Sequence, residues 1–367
     1  MNHARALVLE EFNKPFQLRE FPLPTPGPGE VLAKVVAAGI CGSDRHIVEG
    51  KDPRTPLPII LGHEGVGEVV AFDETAKTAD GENLYEGMPI VWERSLTCGK
   101  CYFCVRNQRY LCVERKIYGI NISCADPPYL SGNFATHILL RKGTSIFKRN
   151  EKFDPAVLVA ATCSGATAAH AFEQSGVKEG DTLAIYGCGP IAIFLIAFAQ
   201  KVEKEMVVVI TRSPGVKSKI ASEFDPRGIL FKEYFSSEHI AESILERTGE
   251  VGVDAVIDTT PDPNTFGEAM GILRRGGTYV NLGLGIPAGP ITLDVYSDIV
   301  NKNATIKGTW ASDARHLKMA IDLIEWGQYP FEKIVTHRFS LDEHEDAWQA
   351  LKDKSAMKIV FEPWKNS

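Results

Sequence analysis

The run Thr182-Leu-Ala-Ile-Tyr-Gly-Cys-Gly-Pro-Ile-Ala192 decides how the second half of this chain folds. It begins with a short apolar strand and continues as a Gly-x-Gly-x-x-Ala loop, which opens an apolar helix that runs to about Gln200. Glycines at such a junction permit a tight turn and let a pyrophosphate approach the helix N-terminus closely. We therefore predict a dinucleotide-binding loop, formed by Gly187, Gly189, Pro190 and Ile191.

Strands and helices alternate on both sides of this loop. Further apolar strands are expected at Met206–Ile210, Val253–Asp258 and Thr278–Gly283, with helical segments between them, which predicts an α/β, doubly wound parallel sheet. The region before residue 155 is instead rich in Gly, Pro and short β-type runs, such as 31–38 and 65–71. We expect a β-rich first domain at 1–160, completed by a C-terminal tail at 308–367, and a nucleotide-binding domain at 161–307.

Composition excludes several classes of function. The chain has 367 residues, 44% hydrophobic and 24% charged, and a formal net charge of −7, which argues against binding nucleic acid through bulk electrostatics. Its apolar run Ile191–Ala199 is too short to cross a bilayer, and its first residues have no signal-peptide core. We therefore expect a cytoplasmic enzyme with neither a nucleic-acid partner nor a membrane segment.

Four cysteines lie in one loop: Cys98, Cys101, Cys104 and Cys112. Cys-x-x-Cys spacing lets a turn direct two sulfur atoms at one point, and Zn²⁺ favours four ligands at tetrahedral corners. Free or disulfide-bonded cysteines are the alternative, but disulfides are uncommon in a large chain that lacks a signal peptide. The loop thus predicts a structural zinc ion, which has no coordination position left for a substrate.

Other candidate metal ligands are spread along the chain. Cys41 lies in Cys41-Gly-Ser-Asp-Arg-His46, and His63 and Glu64 lie in Gly62-His-Glu-Gly-Val-Gly67. Cys163 lies in a Cys-x-Gly-x-Thr motif just before the nucleotide-binding region, and alone it is equally well explained as a buried core residue. In this order, together with the cysteine and glycine loops, the motifs resemble the medium-chain, zinc-dependent alcohol and polyol dehydrogenases over essentially the whole length.

This resemblance implies a GroES-like catalytic domain followed by a Rossmann domain. It also implies a catalytic zinc ion bound by Cys41, His63 and Cys163, and hence two zinc ions per chain. Glu64 lies beside this metal and in some relatives binds it at one stage of turnover. Asp44 matches an acidic residue that steadies the metal site or the proton relay in relatives.

The resemblance further implies how the reaction proceeds. Zinc lowers the pKa of a bound alcohol, so that hydride can pass to a nicotinamide ring. Ser43 and His46 occupy the positions that relay the released proton through the cofactor ribose, with a turn serine and a surface histidine as the alternative interpretation. Thr259 and Gly283 end strands at the edge that borders the nicotinamide.

The segment Val209-Ile-Thr-Arg-Ser-Pro214 ends the second nucleotide-binding strand and predicts the cofactor. NAD-specific sites have Asp or Glu there to bind the ribose hydroxyls. Thr211 carries no charge to repel a phosphate, and Arg212 can donate charge-assisted hydrogen bonds to one. Because Ser213 and Lys217 add further donors, we predict NADP in preference to NAD. The alternative is that Arg212 only stacks on the adenine.

The expected substrate is a small-molecule alcohol, or the carbonyl compound formed from it. The cleft should be lined from Ser43, Trp92–Arg94 and Ile117–Asn121. Glu93 and Arg94 favour a hydroxylated or charged substrate, such as a polyol or sugar derivative, unless the two side chains simply pair with each other.

Two other functions remain to be compared with alcohol oxidation. One is an NADPH-dependent aldehyde or ketone reductase that uses the same residues. The other is a non-catalytic binding relative, which the intact Cys41, His63 and glycine loop argue against. A homodimer or homotetramer is a family expectation only.

Overall fold

The computed structural model describes residues 3–202, 206–353 and 356–365, and the chain divides into two compact units. The first unit comprises Met1–Ala166, Ser312–Gly327 and Phe331–Ser367, and the second comprises Thr167–Ala311 with Gln328–Pro330. The C-terminal segment thus belongs largely to the first unit. Cys163 belongs to it too, although it follows the expected domain boundary at residue 160.

Short strands occur in both units. In chain order the strands are β1 (His3–Leu9), β2 (Gln17–Pro22), β3 (Val31–Ile40), β4 (Ile59–Ile60), β5 (Glu64–Phe72), β6 (Pro89–Trp92), β7 (Ser95–Leu96), β8 (Lys116–Ile117), β9 (His137–Leu140), β10 (Ile146–Lys148), β11 (Thr182–Tyr186), β12 (Met206–Thr211), β13 (Gly228–Phe231), β14 (Val253–Asp258), β15 (Leu273–Asn281), β16 (Thr305–Gly308), β17 (Val335–Phe339) and β18 (Lys358–Phe361).

The helices are mostly short. They are α1 (Gly42–Val48), α2 (Pro155–Val159), α3 (Ser164–Ser175), α4 (Pro190–Lys201), α5 (Val216–Ser222), α6 (Ser237–Arg247), α7 (Thr265–Ile272), α8 (Ala314–Glu325) and α9 (His344–Lys352). A single π-helical turn spans Val295–Val300, and short 3₁₀ turns lie at Cys104–Arg106, Arg109–Leu111, Ala160–Thr162, Phe331–Ile334 and Leu341–Glu343.

The largest sheet of the first unit brings distant parts of the chain together. Its strands follow the order β10-β6-β5-β3-β18-β17, with β9 also paired to β3. The antiparallel register places Gly39 of β3 opposite Glu64 of β5, and Ile40 opposite Ile359 of β18. The end of β3, the start of β5 and the start of β18 therefore meet at one point of the sheet.

The second unit contains a parallel sheet in the order β13-β12-β11-β14-β15-β16. Its central strands are buried, β-branched runs, as expected where helices cover both faces of a parallel sheet. The strand order reverses between β11 and β14, and ligands of such sheets bind outside the carboxyl ends of the strands at this switch point. The predicted doubly wound fold is confirmed.

Helix α4 follows β11 directly and begins with Pro190, whose missing N–H costs nothing in a first turn. Every residue from Ala192 to Ala199 is buried, so that this helix is apolar on all sides and belongs to the core of its unit.

No single helix among the described residues is both long and apolar enough to span a membrane. Two consecutive helical segments, 155–162 and 164–175, are long and apolar enough only when they are taken together, and the chain bends between them. Most of their residues are buried inside the protein.

Candidate active site

The four loop cysteines converge on one point. Their Sγ atoms all lie within 4.8 Å of one another, with Cys112 3.6 Å and Cys104 4.0 Å from Cys98. These distances exceed a disulfide bond of about 2.05 Å but match the spacing of about 3.8 Å between sulfur atoms at the corners of a Zn–S tetrahedron. Hydrogen bonds from the Cys104 backbone lower the pKa of Cys101 to about 6, which favours the thiolate that binds metal. The donor set fits zinc.

A second cluster forms where β3, β5 and β18 meet. Cys41 follows β3, His63 and Glu64 lie at the start of β5, and Cys163 precedes α3. One ligand atom from each of these four residues lies within 4.8 Å of the others. A hydrogen bond from Cys163 lowers the pKa of Cys41 well below its usual value, so that one of the two sulfur atoms is already held as a thiolate.

Each ring nitrogen of His63 has a polar neighbour. Its Nδ1 atom lies 3.3 Å from Oδ1 of Asp44, and its Nε2 atom lies 3.5 Å from Oγ of Ser43. Asp44 also accepts a hydrogen bond of 2.8 Å from the backbone of Cys41 and thereby ties two candidate ligands together. Burial alone would lower the pKa of His63, but the Asp44 carboxylate and the Cys41 thiolate raise it to about 10. This pocket therefore favours positive charge, as a cation site requires.

Lys358, the first residue of β18, was not predicted as a site residue. Its Nζ atom lies 2.7 and 2.9 Å from the two carboxylate oxygens of Glu64, and the side chains are 2% and 0% exposed. Burial alone would lower the pKa of Lys358, but Glu64 and the nearby thiolates raise it above its usual value. Glu64 is thus held in an ion pair at the edge of the cluster. A lysine that opens an otherwise apolar strand was the signal in the sequence.

Gly39 explains how Glu64 can lie so close to the sheet. A Cβ atom at Gly39 would be 2.0 Å from a carboxylate oxygen of Glu64, so that only glycine fits opposite this side chain.

Arg94 and Glu93 have separate partners. The Nη1 atom of Arg94 donates to Sγ of Cys163 at 2.6 Å, and its Nη2 atom donates to Oγ of Ser312 at 3.3 Å. Glu93 is buried, accepts a hydrogen bond of 2.8 Å from Ser95, and has its pKa raised by burial. Of these two residues, only Arg94 therefore contacts a residue of the metal cluster.

The candidate relay residues lie on one helix. Ser43 is in the first turn of α1 beside His63, and His46 follows three residues later, a spacing that places two side chains on the same helical face. The Nδ1 atom of half-buried His46 has no hydrogen-bond partner within the described part of the chain.

The glycine loop has the backbone that its motif predicts. Gly187 has a φ of +102°, and a Cβ atom there would lie 2.2 Å from Oγ1 of Thr259, so that no other residue fits. Gly189 forms the N-cap of α4 with open space around it, followed by Pro190 and half-buried Ile191 in the first turn. The open side of this loop leaves room for a phosphate at the start of the helix.

The end of β12 presents polar and basic groups. Thr211 is half-buried, and Arg212 and Ser213 are exposed just beyond it. Burial raises the pKa of Cys188 in the glycine loop to about 11, and the positive charge of Lys217 opposes this shift. Lys217 therefore acts electrostatically on the same loop.

The carboxyl ends of β14 and β15 pack tightly against each other. Thr259 donates to the Tyr186 carbonyl at 2.7 Å, and a Cβ atom at Gly283 would lie 2.0 Å from the Thr260 carbonyl oxygen. Buried Asp258, which was not predicted, accepts two hydrogen bonds from Thr260, at 2.9 and 2.7 Å. This carboxylate fixes the shape of the edge.

Two family models match the chain. Residues 27–151 match the alcohol dehydrogenase GroES-like domain, and residues 190–326 match the zinc-binding dehydrogenase model. Among curated proteins, 5-exo-hydroxycamphor dehydrogenase from Pseudomonas putida is 28% identical over 99% of both chains.

Solved structures agree with these matches. An alcohol dehydrogenase from Thermotoga maritima is 39% identical, with a TM-score of 0.94 over 98% of this chain and 99% of that one. A protein from Sinorhizobium meliloti, described as a zinc-binding dehydrogenase and solved with NADP, is 26% identical, with a TM-score of 0.87 over 99% and 100% of the two chains.

The fold, the two cysteine-containing clusters and these matches define a class of enzyme, the alcohol dehydrogenases that use zinc and a nicotinamide cofactor. The chain belongs to the medium-chain, zinc-dependent alcohol dehydrogenase family, as its motifs predicted. Its substrate is accordingly a small-molecule alcohol.

Proposed function

We propose that this enzyme oxidises a polyol or sugar-like alcohol to a carbonyl compound, with NADP as the hydride acceptor and two zinc ions per chain. The observation that carries the proposal is the cluster of Cys41, His63, Glu64 and Cys163, in which Glu64 is already paired with Lys358. Three donors are then left for the metal, and the fourth position is open to a substrate, as a catalytic zinc site requires.

Each residue of the catalytic unit has a distinct task in this proposal. Cys41, His63 and Cys163 would hold the metal, which would supply the Lewis acid that polarises the alcohol hydroxyl and favours hydride transfer to a nicotinamide. Ser43, beside His63, would accept the hydroxyl proton, and His46 on the same face of α1 would take it up, with the ribose of a bound cofactor supplying the link between them.

The second zinc ion is assigned to Cys98, Cys101, Cys104 and Cys112, whose sulfur spacing supports tetrahedral coordination. It stabilises the loop between β7 and β8 and takes no part in the reaction. Zinc analysis of the purified enzyme should yield about two ions per chain. A zinc content of one ion per chain or less would contradict the proposal, and it would favour a non-catalytic relative instead.

The preference for NADP rests on charge. Thr211 stands where NAD enzymes have a carboxylate, and Arg212, Ser213 and Lys217 offer donors to a 2′-phosphate. The NADP found in the relative from Sinorhizobium meliloti supports the same choice. The loop residues Gly187, Gly189, Pro190 and Ile191 would bind the pyrophosphate.

Thr259 and Gly283 would border the nicotinamide. The reverse reaction, in which NADPH reduces an aldehyde or ketone, uses the same groups, and the NADP-favouring residues are compatible with it.

The cofactor assignment is tested by kcat/KM with NADP⁺ and NAD⁺ in the wild type and in Thr211→Asp. We expect the wild type to prefer NADP⁺ and the variant to shift towards NAD⁺, because the new carboxylate repels the 2′-phosphate. A wild-type enzyme that prefers NAD⁺ tenfold contradicts the assignment.

We also propose that the chain forms homodimers, or tetramers built from them, through the β16 edge of the parallel sheet. Ile306 on this outermost strand is exposed, as are Val295, Tyr296 and Val300 of the preceding turn. An exposed apolar strand edge favours pairing with a second copy. Sedimentation should show a dimer or a larger assembly for the wild type and a monomer for Ile306→Asp. A monomeric wild type contradicts the proposal.

A further inference from the structure

Two arginines are held together beside the catalytic metal cluster. Arg94 donates to Sγ of Cys163 at 2.6 Å and to the hydroxyl of Ser312 at 3.3 Å. Arg115 donates through Nη2 to the Ser95 hydroxyl at 3.0 Å and to the Ser312 carbonyl at 3.3 Å. Because both guanidinium groups bind Ser312, two positive charges lie next to each other and next to a candidate zinc ligand.

Arg115 has no direct counter-charge. Within residues 3–202, 206–353 and 356–365 it forms no ion pair, and its Nε atom is buried without a hydrogen-bond partner. Burial, and after it the neighbouring Arg94 charge, lower the pKa of this guanidinium to about 10. The fold therefore maintains a positive charge where burial and a like charge both disfavour it.

The carboxylates near Arg115 already have other partners. Glu93 accepts the Ser95 hydroxyl, and Asp313 lies 2.9 Å from Nδ1 of His316. A third arginine, Arg54, also acts on Arg115, and it is paired with its own carboxylate on Asp52. These carboxylates influence Arg115 through space, but none of them binds it.

Buried charges in proteins are normally paired, and guanidinium groups bind carboxylates and phosphates in planar, bidentate geometry. A neutral alcohol supplies no charge to match that of Arg115. From the two guanidinium groups beside Cys163, we infer that the substrate is an alcohol bearing an oxyanion, a carboxylate or a phosphate, which Arg94 and Arg115 bind. This inference rests on the proposed function, because it identifies the substrate class of the same site.

The contact of Arg94 with Cys163 also limits where the oxyanion lies. A group bound to Arg94 is only a few bonds from an alcohol carbon held at the metal cluster, as in a hydroxy acid or a short sugar phosphate. The reaction is balanced without change to the oxyanion: the secondary alcohol and NADP⁺ give a ketone, NADPH and a proton. The two arginines orient the substrate and determine specificity.

The test compares neutral polyols with their oxyanion counterparts of equal chain length, with the zinc-loaded enzyme and NADP⁺. Suitable sets are sorbitol, mannitol, galactitol, xylitol and ribitol, the aldonates of the same sugars, and their terminal phosphates. We expect kcat/KM for at least one oxyanion to exceed that of its neutral counterpart by about 100-fold or more, because without the oxyanion the positive charge of Arg115 has no counter-charge. The aldonate and phosphate arms identify which oxyanion is preferred.

Variants then assign the effect to the arginines. Arg94→Met and Arg115→Met should each reduce the oxyanion preference to about tenfold or less, mainly through KM, while Arg94→Lys should restore part of it. The readout is the ratio of kcat/KM for the oxyanion to kcat/KM for its neutral counterpart, which an equal loss of activity towards both substrates does not change. Arg19→Met, which removes an exposed arginine paired with Glu10, is the matched control and should leave the preference unchanged. Zinc content and melting temperature show that each variant is folded.

Three outcomes would overturn the inference or its basis. If no oxyanion is used better than its neutral counterpart while alcohols are oxidised, the inference is wrong and the proposed function stands. If Arg94→Met lowers kcat for neutral and anionic substrates equally, the arginine acts only on Cys163 and the inference is wrong. If no alcohol is oxidised with either cofactor, the proposed function itself fails.

Discussion

Replacing Lys358 by Met should destabilise the enzyme strongly, because Lys358 is the only ionic partner of Glu64 that lies within hydrogen-bond distance in the described structure. Both side chains are buried, and removal of one partner from a buried ion pair costs about 3–5 kcal/mol. For a unit of this size, that corresponds to a fall in melting temperature of roughly 6–20 °C. Burial already raises the pKa of Glu64, and without Lys358 the carboxyl group should become protonated.

Scanning calorimetry of the zinc-loaded enzyme measures this change, and a double-mutant cycle separates the ion pair from the packing. Lys358→Met with Glu64→Gln should lose less stability than the sum of the single variants, since the double variant leaves no unpaired charge. Lys318→Met is the matched control: its exposed pair with Asp322 should contribute under about 1 kcal/mol. If Lys358→Met is no worse than Lys318→Met, or if the cycle is additive, the ion pair does not hold Glu64.

Three further changes test other parts of the site and fold. Cys112→Ser should reduce the zinc content from about two ions to one per chain and lower the melting temperature; unchanged zinc content would contradict the structural site. Asp44→Asn should weaken zinc binding about 10- to 100-fold in a chelator competition, because His63 loses its carboxylate partner; equal affinity would rule out this support.

Burial and the Lys34 charge lower the pKa of His137 from 6.5 to about 4, so that the unfolded chain binds a proton first as the pH falls. The free energy of unfolding, measured by urea titration, should therefore decrease as the pH falls from 6.5 to 4, and the decrease should be smaller in His137→Gln. If the free energy of unfolding of the variant depends on pH as strongly as that of the wild type, this prediction is wrong.

Local signals predicted much of the nucleotide-binding sheet. The expected strands Thr182–Tyr186 and Val253–Asp258 have the bounds of β11 and β14, because each is a continuous apolar run between turn residues. For β15, the expected start at Thr278 was five residues late. The strand begins at Leu273, and its first half contains Arg274-Arg-Gly-Gly277, which interrupts the apolar run from which the strand was predicted.

The side-chain partners in the first unit could not be predicted in the same way. Lys358 meets Glu64 only because β18 pairs with β3 beside β5, a contact between residues separated by 294 positions. Arg94 reaches Cys163 across 69 positions. Such contacts depend on strand order and register, and no local spacing in the sequence specifies either.

The charges of the side chains around the cluster of Cys41, His63, Glu64 and Cys163 bear on which substrate the site accepts. In the proposed site, a divalent metal ion would bind Cys41 and Cys163 as thiolates and so balance their charge, and Lys358 neutralises Glu64, so that the cluster itself would need no further charge. Burial also raises the pKa of Glu93, whose carboxyl group accepts the Ser95 hydroxyl and acts on Arg115 only through space. The positive charge of Arg115 therefore has no bound counterpart among these groups. A substrate that brings its own negative charge balances the site, whereas a neutral alcohol leaves that charge unpaired in a partly buried position.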